Sequence, residues 1–172
     1  DTIEKRRTAY NGIGYNASVL HFFFIADDIR HRIHYTRKKE SSFFSAGIIF
    51  SRDLEHNSVG YGYIYEIFPT GVSLEYGKIL KKKKKTDIFI SGNMNIQYRG
   101  VYGNGYRTWL ISLDNYFGMG MPLFRRSYFT LGTGFSLAYT PPGNDDFIHS
   151  QGFFPFLNIA LSSTYFFKRK NT

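Results

Sequence analysis

Residues 88–98 read Ile-Phe-Ile-Ser-Gly-Asn-Met-Asn-Ile-Gln-Tyr, and their parity separates an apolar face (Ile88, Ile90, Met94, Ile96, Tyr98) from a polar one (Ser91, Asn93, Asn95, Gln97). Alternate side chains of a strand point to opposite sides, so this segment fits a strand between two different solvents. The polar side carries amides and hydroxyls instead of the Lys and Glu of a water-facing sheet, which marks a crowded polar interior. The same code recurs along most of the chain. The fold class it predicts is all-β: a single eight-stranded antiparallel, up-and-down transmembrane β-barrel with a filled polar interior and a lipid-facing exterior.

Eight candidate strands follow from the alternation and the turn chemistry between them: 13–25, 43–52, 59–68, 72–77, 88–98, 108–121, 129–139 and 155–167. A Phe68-Pro69-Thr70-Gly71 turn separates the third from the fourth. In the sixth strand, Leu110 on the inner side and Asn115 on the outer side break the pattern. On this layout the connections after odd strands are 26–42, the tight Pro69-Thr70 turn, 100–107 and 140–153. Those after even strands are the short 53–58, 80–87 and 122–127, on the side that holds both termini.

The inner faces contain few charges. Glu66, Glu75, Asp114 and Arg99 are expected to form one or two internal ion-pair networks, because an unpaired charge in a filled lumen is costly. Asn93, Asn95 and Gln97 are expected to line the polar lumen. An eight-stranded barrel is just wide enough for side chains to fill it, which disfavours a channel. Tyr15, Tyr61, Tyr76, Tyr98, Trp109, Tyr139 and Tyr165 lie near the ends of the apolar faces, where a membrane interface favours amphipathic rings.

Mean hydropathy is −0.30, which is compatible with such a barrel because only alternate residues meet lipid. With 172 residues and no break in composition, one domain is expected over 1–172, with a periplasmic N-terminal segment at 1–11 and a basic tail at 168–172. Asp1 to Arg7 lack the apolar core of a signal peptide; in an exported chain the signal has been removed. The net charge of +9 is concentrated in Arg37-Lys38-Lys39, Lys81-Lys82-Lys83-Lys84-Lys85 and Lys168-Arg169-Lys170. The last two runs fall on the expected periplasmic side, where they could meet anionic lipid, peptidoglycan or an acidic partner. No recognition motif accompanies the charge, so nucleic acid is not an expected partner.

The chain resembles the small outer-membrane barrels of Gram-negative bacteria, of the OmpA and OmpX type. The ending Leu157-Asn158-Ile159-Ala160-Leu161-Ser162-Ser163-Thr164-Tyr165-Phe166-Phe167 looks like the alternating, aromatic-closing final strand of such proteins, here followed by a short basic tail. The resemblance implies the bacterial outer membrane as location and outer-membrane lipid as partner. It leaves the function to be argued from the residues.

Residues 131–139, Leu-Gly-Thr-Gly-Phe-Ser-Leu-Ala-Tyr, are similar to the lipid A 3-O-deacylase family, which pairs a His with a Ser two residues on and an acidic residue. His56-Asn57-Ser58 has this spacing but lacks the Asn expected next and falls on the expected periplasmic side. His149-Ser150 lies on the outer side with the wrong spacing. Without a complete constellation no catalytic residue is assigned. His21 is read as an interfacial or packing residue, and His31 and His34 as residues of a basic loop. With no Cys and no carboxylate cluster beside them, neither a metal nor a cofactor is expected. The leading function is a non-catalytic structural or accessory subunit of a larger outer-membrane assembly. A lipid A-modifying hydrolase and a soluble β-barrel or sandwich acting as a binding module are the alternatives.

Overall fold

The computed structural model describes residues 9–21, 28–54, 65–83, 85–124, 126–140 and 152–167, with backbone alone at 20–21, 28–29, 51–54, 65–68, 99–100, 107–108, 140 and 152–156. The strands are β1 (Tyr10–His21), β2 (Asp28–Lys38), β3 (Ser42–Leu54), β4 (Tyr65–Lys82), β5 (Asp87–Gly100), β6 (Arg107–Phe124), β7 (Ser127–Thr140) and β8 (Gly152–Phe166). Each pairs antiparallel with its neighbour in sequence, and β8 returns to β1, so the sheet closes as an up-and-down barrel. Closure leaves no edge with unpaired backbone groups.

Following partners around the wall gives the stagger. From Asn11 the row runs through Arg37, Phe44, Tyr76, Gly92, Asn115, Phe135 and Leu157, and it meets β1 again at His21, ten residues along. With ordinary strand rise and spacing this tilts the strands by about 40°. Those ten residues then climb about 25 Å along the barrel axis, the height of the apolar band of a membrane barrel.

Two strands differ from the sequence expectation. The segment 26–42, expected as a loop, contains β2, and the β2–β3 connection is only 39–41. The run Arg30-His31-Arg32-Ile33-His34-Tyr35-Thr36 alternates like the other strands, but with cations on its inner side, so its charge reads as solvation when it is in fact lumen. The expected turn at Pro69-Thr70 is a bulge inside β4. Ile49 pairs with Gly71 and Phe50 with Pro69, leaving Thr70 as the extra residue, and the Thr70 hydroxyl donates to the Ile49 carbonyl at 3.4 Å. Proline lacks the N–H a ladder needs and tolerates a bulge, so the strand bends here without reversing.

The connections 39–41, 83–86 and 125–126 share one end of the barrel with Tyr10 and Phe166, and the Phe167 N–H donates to the Asn11 carbonyl at 2.8 Å. We call this the turn end. The β3–β4 connection, expected as a short turn at 53–58 beside the termini, is 55–64 and joins strand ends at the opposite end. His56, Asn57, Ser58, His149 and Ser150 lie outside the described residues, as does the side chain of His21.

Inside the tube, large and small residues interlock near the turn end. The Phe43 ring occupies the space a Cβ of Gly77 would need, and Tyr128 does the same at Gly120. Gly77→Val is expected to cost about 1–3 kcal/mol, because the Phe43 ring must leave its packed position against Phe89. A lowered urea midpoint for the folded barrel in detergent checks this, and an unchanged midpoint would refute it.

Candidate functional site

The lumen is built from alternate residues of all eight strands, and the cations of its described ion pairs, Arg30, Arg32 and Lys38, all come from β2. Arg30 and Arg32 are 2% and 4% exposed, buried among Ser18, Ser73, Ser112, Asn93 and Asn95. Asp114 is the hub of the first cluster. It accepts from Arg30 Nη1 at 3.1 Å, Asn95 Nδ2 at 2.7 Å, the Ser136 hydroxyl at 2.6 Å and the Tyr116 hydroxyl at 3.4 Å. Asn158 Nδ2 in turn donates to Tyr116 Oη at 2.6 Å and Ser136 Oγ at 2.9 Å, tying β8 to β6 and β7. Four acceptor contacts on one carboxylate are what a buried charge needs to offset lost hydration.

Glu75 holds the second cluster. Arg32 Nη2 donates to its Oε2 at 2.5 Å and the Ser91 hydroxyl to its Oε1 at 3.0 Å, while Arg32 Nη1 reaches Asn93 Oδ1 at 3.2 Å. Asn93 Nδ2 donates to Asn95 Oδ1 at 3.1 Å and so joins the two clusters.

A third cluster sits nearer the turn end. Lys38 Nζ pairs with Asp87 Oδ2 at 2.7 Å, the Tyr128 hydroxyl donates to the same oxygen at 2.6 Å, and Lys38 Nζ stands 3.3 Å from the centre of the Tyr128 ring. Phe43 and Phe89 meet edge to face at 5.5 Å, and Tyr128 meets Phe166 at 6.3 Å. Above this layer lies a cavity of about 50 Å³ whose lining includes Arg32, His34, Glu75 and Thr164, room for about three waters. His34 Nε2 contacts Thr164 Oγ1 at 3.2 Å, and its Nδ1 is buried with no hydrogen-bond partner among the described residues.

Glu75 and Asp114 therefore meet Arg32 and Arg30, two residues the sequence expectation assigned to a loop. The side chains of Glu66 and Arg99 lie outside the described residues. Asn93, Asn95 and Gln97 are buried together on the inner side of β5. Lys81, Lys82, Lys83 and Lys85 are exposed at the turn end; Lys84, Lys168, Arg169 and Lys170 lie outside the described residues. Arg30, Arg32, His34, Lys38, Asp87 and Tyr128 are the lumen residues that sequence reasoning missed. The signal that finds the four on β2 is the period of two in 30–38, once charge is allowed on the inner side, while Asp87 and Tyr128 continue the inner parity of β5 and β7 toward the turn end. His31 and His34 stand on opposite faces of β2, since Tyr15 Oη bonds His31 on the outer wall while His34 is buried. They cannot share a metal ion.

The outer wall is the reverse of a soluble surface. Val72, Leu113, Ile159 and Phe135 are 55%, 52%, 54% and 67% exposed. Asn115 interrupts it between Leu113 and Phe117, midway along β6. Its Oδ1 lies 3.7 Å from where a Gly92 Cβ would stand, and among the described residues its side chain has no hydrogen-bond partner. An open groove of about 730 Å³ runs past it, walled by Tyr76, Ile90, Phe117, Thr133 and Phe135.

Comparison with known protein families and with curated protein sequences returns no match. Several solved structures share the fold. Neisserial surface protein A superposes with a TM-score of 0.57 at 9% identity, over 92% of this chain and 97% of its own. Outer membrane protein H (OprH) of Pseudomonas aeruginosa gives 0.55 at 11% identity, over 92% and 99%. The N-terminal β-barrel domain of Pseudomonas aeruginosa OprF gives 0.53 at 10% identity, over 93% and 100%. At these identities the likeness establishes the fold alone.

Proposed function

We propose that this chain is an integral β-barrel of the bacterial outer membrane and serves there as a non-catalytic structural or accessory subunit. One observation carries the reading: the inversion of polarity, with Arg30, Arg32 and Asp114 buried inside the tube and rows of Ile, Leu, Phe and Val exposed outside. In water that arrangement would waste the hydrophobic effect on the wrong side of the sheet, whereas in a bilayer each row meets hydrocarbon. The rings support it. Toward the opposite end of the barrel Tyr98 and Trp109 meet at 5.1 Å with their rings tilted by 52°, and Tyr10, Tyr165 and Phe167 stand exposed at the turn end. Exposed rings at both ends of the apolar wall fit two interfaces. The described lumen is packed with paired charges, which argues against a conducting pore.

The accessory role draws on Asn115. Lipid tails offer an amide no hydrogen bond, but a neighbouring membrane protein does, and Gly92 beside it lets a second backbone approach. We expect the chain to be extracted only by detergent, to migrate differently on a gel before and after heating, and to leave planar bilayers non-conducting. In mild detergent it should elute with a membrane partner that Asn115→Leu releases while heat-modifiable migration is kept. Extraction by salt alone would overturn the membrane reading. Elution as a lone monomer, or a partner indifferent to Asn115→Leu, would overturn the subunit reading.

A further inference from the structure

Apart from Arg126, the exposed basic residues described at the turn end are gathered on two neighbouring hairpins. Arg37 and Lys39 border the β2–β3 connection; Lys78, Lys81, Lys82, Lys83 and Lys85 border the β4–β5 connection, and all seven are exposed. The hairpins are fastened together, because the Ile79 N–H donates to the Ser41 carbonyl at 2.9 Å. The β4–β5 connection is itself closed by Lys83 N–H to the Thr86 carbonyl at 2.7 Å and Thr86 N–H to the Lys83 carbonyl at 3.4 Å. Glu40 is the single exposed carboxylate among these described residues.

A register shift decides where the lysines stand. Lys78 pairs with Ile90 and Ile79 with Phe89, but Lys81, not Leu80, pairs with Ile88. Leu80 is the extra residue of a bulge, and Lys81 thereby takes the outward parity of Ile88. Without the shift Lys81 would continue the inner row. Lys78 and Lys81 are thus set on the outer wall, next to exposed Leu80 and Ile90, at the level where the apolar wall gives out. A solvated turn has no need of cations on its greasy side. Long stems that lie along apolar surface and lift an ammonium to its edge suit the headgroup layer of a membrane.

We infer that the β2–β3 and β4–β5 hairpins form a headgroup site for anionic phospholipid in the leaflet at the turn end of the barrel. The inference rests on the membrane reading above. Charge complementarity names the occupant: seven cations against one carboxylate face a phosphodiester with net negative charge, and the adjoining Leu80 and Ile90 meet its acyl chains. The cations lie on strand ends and on the short, hydrogen-bonded turns between them, so little ordering is lost on binding.

The test uses the whole chain folded into vesicles of pure phosphatidylcholine and into vesicles with one fifth phosphatidylglycerol. Bound lipid is counted by native mass spectrometry after extraction. Wild type is expected to retain phosphatidylglycerol over phosphatidylcholine by about tenfold relative to the bulk ratio, with the preference falling in high salt. A Lys78→Gln, Lys81→Gln, Lys83→Gln, Lys85→Gln chain should lose it, and the matching four Lys→Arg changes should keep it. Equal retention of the two lipids by wild type, or undiminished preference in the glutamine chain, would overturn the inference. Folding is read separately, by heat-modifiable migration in the phosphatidylcholine vesicles. A chain that fails to fold there defeats the membrane reading; a chain that folds but shows no lipid preference defeats only the headgroup site.

Discussion

Asp114→Ala is expected to lower the unfolding free energy of the barrel in lipid vesicles by about 3–5 kcal/mol, because it leaves a buried guanidinium without its counter-charge. Asp114 takes contacts from Arg30, Asn95, Ser136 and Tyr116, so its loss strands donors on β2, β5, β6 and β7 together. The cost comes from the partners left behind. The double change Arg30→Met with Asp114→Leu should therefore recover the share due to the stranded guanidinium, while Asn95, Ser136 and Tyr116 still lack their acceptor. Urea unfolding followed by Trp109 fluorescence measures both. A single-mutant cost below about 1 kcal/mol, the size of an ordinary substitution, would show that the cluster is not what holds the lumen together.

The neighbouring residue gives the second large effect for the opposite reason. Leu113 points outward and is 52% exposed, level with the middle of the apolar band. In a bilayer, Leu113→Arg should cost about 2–4 kcal/mol, the penalty of a cation near the midplane on the lipid side of a barrel. On a water-facing surface the same change would fall within about 0.5 kcal/mol of zero. Unfolding from vesicles distinguishes the two, and a near-zero effect would return the chain to the soluble alternative.

Particular residues explain how much of this was legible. Asn93, Asn95 and Gln97 announced the lumen from one eleven-residue segment, because amides without charge have few reasons to line a strand. Asn115 and Leu110 broke the pattern in the sequence, and the structure keeps both breaks, with Asn115 exposed on the wall and Leu110 buried inside. β2 was hidden by a sound rule applied to the wrong solvent: cations in a row usually mean water, but here Arg30 and Arg32 are the counter-charges that Asp114 and Glu75 require. Pro69 misled in the same way, since a turn and a bulge share the Pro-Thr-Gly chemistry and differ only in what lies across from them. The strand count came to eight because one strand was missed and another divided. The pairing of Glu75 with Arg32 was beyond the sequence, for it depends on stagger, which links residues 43 positions apart across the tube.

The cations of β2 also bear on how such a tube could enter a membrane. Two guanidinium groups drawn through hydrocarbon without their carboxylates face a steep barrier, and those carboxylates reside on β4 and β6. Strands laid into the bilayer one after another would meet that barrier at the second step. A wall from β2 to β6 that crosses as a unit, its ions already neutralised, avoids that barrier.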